Sequence, residues 1–197
     1  HAFHYRWLRY ASRLTSVFCM NISKKLSLLT FGLCTIGCQS IAAPTSITYT
    51  KIADCTEQIE NENAAFSESK CNSIGPYALN ITQQSPLYFN IILSRDGKSI
   101  TSELDTFSQE EPMEPGKAIE WHVTGETPKF MIFRIFVLQE NSTSHEQLTI
   151  SLVTEDRICP IASVNVNGTP KANEKVRSLI SERYQNLAAC PAEIDIF

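Results

Sequence analysis

The segment Lys129–Leu138, with the sequence KFMIFRIFVL, restricts the possible folds of this chain more than any other stretch. It is too short for a helix that spans a membrane, and it is rich in aromatic and β-branched residues, which favour strands. A nearly unbroken apolar run of this length is typical of a strand that is buried on both faces. We therefore expect a central strand here, with Ala118–Val123 and Gln147–Thr154 as its neighbours in a sheet.

Short apolar stretches separated by turn signals recur along most of the chain. The run RDGK at residues 95–98 contains the Asp-Gly pair that two-residue hairpin turns prefer. Strands joined by such turns indicate an antiparallel sandwich or barrel rather than alternating strands and helices. Two polar regions are expected to contain no strand: Thr56–Asn72, predicted as a loop or short helix, and Asp105–Lys117, predicted as a loop. The other predicted strands are Pro44–Ala53, Ala78–Thr82, Pro86–Ser94, Ser99–Leu104 and Arg157–Val166.

The periodicity changes near the end of the chain. Thr169 followed by Pro170 is typical of a helix start, with the threonine as N-cap and the proline at the first helical position. Apolar residues then recur at helical spacing up to the Cys-Pro pair at 190–191. We expect a helix over Pro170–Ala189. The fold class is therefore mainly β: an antiparallel β-sandwich or half-open barrel with a C-terminal α-helix. The apolar helix positions are Ala172, Val176, Leu179, Ile180, Tyr184 and Leu187.

Residues 20–42 have the order of regions found in a secretory signal peptide. A basic start with Lys24 and Lys25 is followed by the apolar run Leu26–Gly37 and then by small residues up to Ala42. We predict residues 1–19 as upstream translation or a non-native start, with a basic membrane-surface arm as the alternative. Residues 20–42 are predicted as the signal peptide and 43–197 as a single exported β-rich domain. A periplasmic or secreted location follows, and a lipoprotein anchored at Cys38 is the less favoured alternative.

Four cysteines follow the predicted signal peptide. An even number of cysteines in an exported chain favours disulfide bonds. Sequence proximity favours the pairs Cys55–Cys71 and Cys159–Cys190. The absence of a C-x-x-C motif argues against thioredoxin-like redox chemistry and against zinc-knuckle spacing. With only two histidines in the same part of the chain, we expect no metal site.

Charge is distributed unevenly along the chain. All 21 Asp and Glu follow Ala42, whereas five of the 17 Lys and Arg precede it, so the predicted domain is more acidic than the whole chain with its net charge of −4. Such a domain repels nucleic acid and anionic lipid and attracts basic partners. Plain solubility explains the same charge equally well. No transmembrane span is expected in this part of the chain.

The sequence contains few signals of catalysis. Phosphate-binding glycine loops, dinucleotide fingerprints, G-x-S-x-G and H-E-x-x-H are absent, so we expect no cofactor. Glu120 and His122 alternate on one predicted strand, where a carboxylate could orient an imidazole, although an ordinary exposed cross-strand pair is the favoured interpretation. Arg134 interrupts the central strand, which predicts a structural ion pair or, less favoured, a pocket for an acidic ligand. His145, beside Glu146, is expected to lie in a polar loop and to be solvated.

The run SIGPY at Ser73–Tyr77 follows Cys71 directly and is the best candidate for a recognition site. It combines a hydroxyl, a flexible residue, a rigid residue and an aromatic ring in one tight loop. Such a loop suits insertion into a concave partner, since Tyr provides buried area and a hydroxyl at a low cost in conformational entropy. The favoured alternative is a structural turn whose Tyr77 packs on the sheet.

The run SIGPYALNI, followed by ILSRDGKSI, resembles the loop and following hairpin of bacterial secreted lysozyme inhibitors, particularly those acting on invertebrate-type lysozymes. The resemblance covers Ser73–Ile100. It implies an exported β-sandwich protein that inserts Ser73 and Tyr77 into the catalytic cleft of a lysozyme, with Gly75 shaping the loop. The function expected is therefore a non-enzymatic binding protein with a basic partner such as a lysozyme. The alternatives are a structural, envelope-associated periplasmic domain and, third, a hydrolase that uses Glu120 and His122.

Overall fold

Two β-sheets and one short helix form the part of the chain that the structure describes. The computed structural model describes residues 45–60, 67–83, 89–102, 113–138 and 144–197, and the predicted upstream segment (1–19) and signal peptide (20–42) lie outside these ranges. The larger sheet has the strand order β1 (Thr45–Lys51), β7 (Met113–Thr124), β8 (Thr127–Leu138), β9 (Ser144–Val153), β10 (Ile158–Asn165) and β11 (Asp195–Ile196). The smaller sheet has the order β2 (Thr56–Glu60), β3 (Ser67–Ile74), β4 (Tyr77–Gln83), β5 (Phe89–Arg95) and β6 (Lys98–Thr101).

The two sheets face each other across an apolar core. All adjacent strands pair antiparallel except β10 and β11, which are parallel. Ser102, directly after β6, bridges to Ile158 and so connects the two sheets at one edge. This arrangement confirms the predicted mainly β, sandwich-like fold.

Strand β8 is buried on both faces, as its apolar run predicts. Successive side chains of a strand leave opposite faces of the sheet, so alternate residues of β8 share a face. Met131 and Phe133 lie in the core between the sheets, where the Phe133 ring contacts Phe89 edge to face with 5.2 Å between ring centroids. Phe130 and Ile132 lie on the other face and pack in a second core beneath the helix.

The C-terminal helix packs on this second core. Helix α1 covers Ala172–Leu179 and continues as a single π-helical turn over Ile180–Tyr184. Because its buried residues recur every four positions, one stripe of the helix faces the sheet. The buried residues of the stripe are Ala172, Val176, Ile180 and Tyr184, and Leu179 and Leu187 are partly buried beside them.

The predicted helix bounds, Pro170–Ala189, are wrong at both ends. The residue before the first helical position is Lys171, which has a left-handed φ of 59°, so Thr169 is not the N-cap. After Tyr184 the chain leaves the helix, although the following residues up to Ala189 favour helix on propensity alone. The reason is tertiary, because Cys190 has to reach the buried Cys159 in β10.

Two predicted loops contain strands. The region Thr56–Asn72 supplies β2 and most of β3, although little of it is apolar, because the pairing with β4 and the disulfide at its base organise these polar strands. In the predicted loop Asp105–Lys117, the residues from Met113 onward belong to β7, with a register shift between Pro115 and Ile119. Residues 105–112 lie outside the described ranges.

Both predicted disulfides are present. Cys55–Cys71 joins the start of β2 to β3, and Cys159–Cys190 joins β10 to the segment after the helix. Their pairing is the one that sequence proximity favours.

Candidate functional sites

Several hairpin turns meet at one end of the sandwich, and we call this surface the turn end. It comprises residues 75–76, 96–97, 125–126 and 154–157. Ala78 pairs with Ser94, which places the β3–β4 and β5–β6 turns side by side. Gly75 lies against the β7–β8 turn, since a Cβ atom on it would be only 2.6 Å from the carbonyl oxygen of Glu126. The turn end therefore combines turns from both sheets.

The predicted recognition loop is a two-residue hairpin turn at this end. Ile74 and Tyr77 pair across it, leaving Gly75 and Pro76 as the connection. Gly75 has a φ of 55°, which a glycine adopts without strain. Ser73 is exposed, whereas Ile74 points into the core. Of the three predicted residues, Gly75 lies in the turn itself, and Ser73 in β3 and Tyr77 in β4 lie on either side of it. Ser73 and Ile74 point to opposite faces of the sheet, and Tyr77 pairs with Ile74, so Ser73 and Tyr77 do not share a face.

Tyr77 lies between two shallow cavities of the turn end. It is partly exposed and partly packed on the core between the sheets. Its ring lies under the guanidinium of Arg95, with 5.5 Å between the ring centroid and Cζ. One cavity, of about 290 Å³, is shared with Lys98 and Glu155; the other, of about 470 Å³, is shared with Pro128 and Glu155. The Tyr77 side chain therefore packs on the core and also lines both cavities.

Charged side chains of both signs surround Tyr77. Arg95 donates from Nε to Asp96 over 3.2 Å, and both residues are exposed. On the neighbouring turn, a 2.6 Å hydrogen bond from the Thr154 hydroxyl holds the pKa of the Asp156 carboxyl below its usual range. This polar rim around an aromatic centre was not predicted from the sequence, because its members come from two separate turns, β5–β6 and β9–β10.

The contact between the β3–β4 turn and the β7–β8 turn can be tested with a matched control. Gly75→Ala should lower the free energy of unfolding by about 2 kcal/mol or more, because the left-handed φ costs about 1 kcal/mol and the new methyl group also meets the Glu126 carbonyl. Gly97→Ala has the same backbone cost, with a φ of 77°, but its Cβ meets nothing within 4 Å. Urea unfolding of both variants measures the difference, and equal losses would contradict the contact between the turns.

A second site lies on the outer face of the larger sheet, where Glu120, His122 and Arg177 meet. Glu120 Oε1 and His122 Nε2 are 2.9 Å apart, and both residues are more than nine-tenths buried. Arg177 reaches across from α1 and donates from Nη2 to Glu120 over 2.6 Å and from Nε over 2.9 Å. The favoured interpretation of an exposed cross-strand pair is therefore wrong, since the helix covers this face and buries both residues.

The ion pair controls the charge of Glu120. Burial by itself would raise the pKa of this carboxyl, but hydrogen bonds from Arg177 and His122 outweigh burial and lower the pKa to about 2. The hydrogen bonds to Glu120 raise the pKa of the Arg177 guanidinium. Glu120 is therefore ionised at neutral pH and accepts a hydrogen bond from the Nε2–H of His122.

Arg177 separates two cavities along this face. The first, which we call the ion-pair cavity, has a volume of about 470 Å³ and is lined by Tyr49, Glu120 and Arg134 among others. Arg134 forms an ion pair with Glu146 and donates from Nη2 to Asn173 over 3.2 Å. The structural ion pair predicted for Arg134 is therefore present, and Arg134 also lines this cavity. The exposed His145 lies in β9 rather than in a loop.

In the part of the chain that the structure describes, no hydroxyl or thiol hydrogen-bonds to the dyad of Glu120 and His122. Within the described residues, His122 hydrogen-bonds to Glu120 and to no other group. Covalent catalysis requires a nucleophile within hydrogen-bond reach of the base. Among the residues that the structure describes, the dyad therefore lacks the hydrogen-bonded nucleophile that covalent catalysis requires.

Comparison of the chain with models of known protein families, with curated proteins and with solved structures finds no match. No helix in the described part of the chain is long and apolar enough to cross a membrane.

Proposed function

We propose that this chain is an exported, non-enzymatic binding protein that recognises a protein partner through its turn end, most concretely as an inhibitor of a lysozyme-type enzyme. The observation that carries the proposal is the position of Tyr77, which is partly exposed, lines two cavities and follows a turn that contacts the neighbouring β7–β8 turn. Rigid presentation of an aromatic side chain lowers the entropic cost of binding. Ser73 adds a hydroxyl on the exposed side of β3.

Two further features support the proposal. Two disulfides suit an oxidising compartment outside the cytoplasm. The excess of acidic side chains suits a basic partner, since opposite net charges speed association. The segment Ser73–Tyr77, which resembles the inserted loop of lysozyme inhibitors, contains the β3–β4 turn of this surface.

The direct test is a titration of the purified chain against chicken-type, goose-type and invertebrate-type lysozymes. Binding and cell-wall lysis are read together at low and at physiological salt. Stoichiometric inhibition of one type at physiological salt is the expected result. Binding that disappears with salt would mean that only net charge attracts the two proteins, and the structural, envelope-associated alternative would then be preferred.

The site itself is tested by the double substitution Ser73→Ala with Tyr77→Ala. We expect partner affinity to fall at least about 100-fold, as for loss of a central aromatic contact, while the melting temperature changes by only a few degrees. The matched control is Ser46→Ala with Tyr49→Ala, which removes the same two side chains from exposed positions on β1. Equal loss of affinity in both variants would contradict a site at the turn end.

A further inference from the structure

The second cavity beside Arg177, which we call the His122 cavity, has features of a ligand site. Its volume is about 510 Å³, within the range of small-molecule sites in proteins. It lies between α1 and the strands β1, β7 and β8. Apolar side chains form part of its wall, namely Ile47, Phe130 and Ile180.

The charged groups of the His122 cavity are all basic. Lys129 and Arg177 line it, and none of its lining residues is Asp or Glu. Arg177 is neutralised by Glu120, which lines the ion-pair cavity instead. Lys129 donates to the backbone oxygen of Gln185 but forms no ion pair with any described carboxylate. One positive charge therefore remains uncompensated at this cavity.

Hydrogen-bonding capacity also remains unused there. His122, whose side chain is only 8% exposed, bonds Glu120 through Nε2, and no described group bonds its Nδ1. Arg177 uses Nε and Nη2 for Glu120 and Tyr49, so its Nη1 has no partner among the described residues. Neither of these two nitrogen atoms is fully buried, since Thr149 Oγ1 and Ser151 Oγ are the only side-chain N or O atoms of the described residues that are buried without a partner. Both nitrogen atoms are therefore accessible from the cavity.

We propose that the His122 cavity binds a small amphiphilic carboxylate. The carboxylate group is held by Lys129 and the free Nη1 of Arg177, which are both hydrogen-bond donors, and the apolar body lies against Ile47, Phe130 and Ile180. This site is separate from the turn end and does not depend on the proposed inhibition of a lysozyme. Charge selects an anion, and the apolar wall selects one with a hydrocarbon body.

The experiment is a calorimetric titration of the whole chain with sodium octanoate, with octan-1-ol as the neutral molecule of the same alkyl length. We expect one octanoate per chain and at least about tenfold weaker binding of octanol, which is about 1.4 kcal/mol. N-Acetylphenylalanine, titrated in parallel, distinguishes an amino-acid-like body from an alkyl chain. Failure of both carboxylates to bind at millimolar concentration, or octanol binding as tightly as octanoate, overturns the proposal.

Two pairs of variants locate the site. Ser181→Trp places a bulky side chain at an exposed lining position and should weaken binding at least tenfold, whereas Ser178→Trp, exposed on the same helix outside the lining, should not. Lys129→Met should weaken octanoate binding, whereas Lys98→Met removes the same charge at the turn end without effect. Unchanged binding in Ser181→Trp overturns the assignment of the cavity even if Lys129→Met has lost stability.

Discussion

Replacing Arg177 by Met is expected to lower the free energy of unfolding by about 2 to 3 kcal/mol at neutral pH. Glu120 is 8% exposed and ionised, so loss of the guanidinium leaves a buried carboxylate with only His122 as partner. Removal of one partner of a fully buried ion pair costs about 3 to 5 kcal/mol. We expect less here because the Arg177 side chain is 40% exposed. Urea unfolding followed by fluorescence of the buried Trp121 measures the loss.

Arg183→Met is the matched control for this change. Arg183 lies in the π-helical turn and pairs with Asp195 over 3.2 Å, but its side chain is 54% exposed. Exposed ion pairs contribute about 0.2 to 1 kcal/mol. A loss in Arg177→Met no larger than in Arg183→Met would contradict the inference that Glu120 needs its partner. Addition of Glu120→Gln to Arg177→Met should restore part of the lost stability, since no buried charge is then left.

The pH dependence of the free energy of unfolding provides a second test of the ion pair between Glu120 and Arg177. The pKa of Glu120 is lowered in the folded state, from 4.5 to about 2, so the folded state binds fewer protons than the unfolded state between these values. The stabilisation is complete above pH 4.5 and is lost as pH falls through about 2. Stability should therefore fall more steeply between pH 4.5 and 2 in the native chain than in Glu120→Gln, and parallel curves would contradict the ion pair.

Removal of the Cys159–Cys190 disulfide by Cys159→Ala with Cys190→Ala is expected to cost about 3 to 4 kcal/mol. The two cysteines are 31 residues apart, and the bond between them restricts the unfolded chain over that whole loop. In the folded state it also anchors the segment that follows the helix. The helix should therefore lose protection from amide hydrogen exchange over 172–184 more than the sheets do.

The Cys55–Cys71 disulfide provides the control. Its loop is 16 residues, so Cys55→Ala with Cys71→Ala should cost about 3 kcal/mol, a similar loss. Its location differs, because it joins β2 to β3 and touches no part of the helix. Protection over 172–184 should stay at its native level in that variant once the change in global stability is taken into account. Loss of helix protection in both variants alike would mean that the helix unfolds only with the whole domain.

The local patterns of the sequence predict most of the architecture. The unbroken apolar run of β8 indicates burial on both faces, and the four-residue spacing from Ala172 to Tyr184 indicates the buried stripe of the helix. Both arise because a strand and a helix repeat their side-chain directions over a few residues. The Asp-Gly pair at 96–97 likewise predicts its turn, with φ values of 51° and 77° at these residues.

The strands β2 and β3 could not be predicted in this way. Their residues are largely polar, so no alternation of apolar side chains marks them. They are strands because β4 offers a partner edge and because the Cys55–Cys71 bond holds β2 beside β3. Neither influence is visible in a local window of the chain.

The sequence by itself indicates the burial pattern of β8 and of the helix, favours the two cysteine pairs that are present and places Glu120 and His122 on one face of a strand. Only the tertiary structure decides that Arg177, 57 residues further along the chain, completes their ion pair, and that Tyr77 lies among turns from both sheets. The physical reason is the range of the interactions. Periodic burial is set by neighbours a few residues away, whereas an ion pair or a shared surface depends on how distant elements pack on one another.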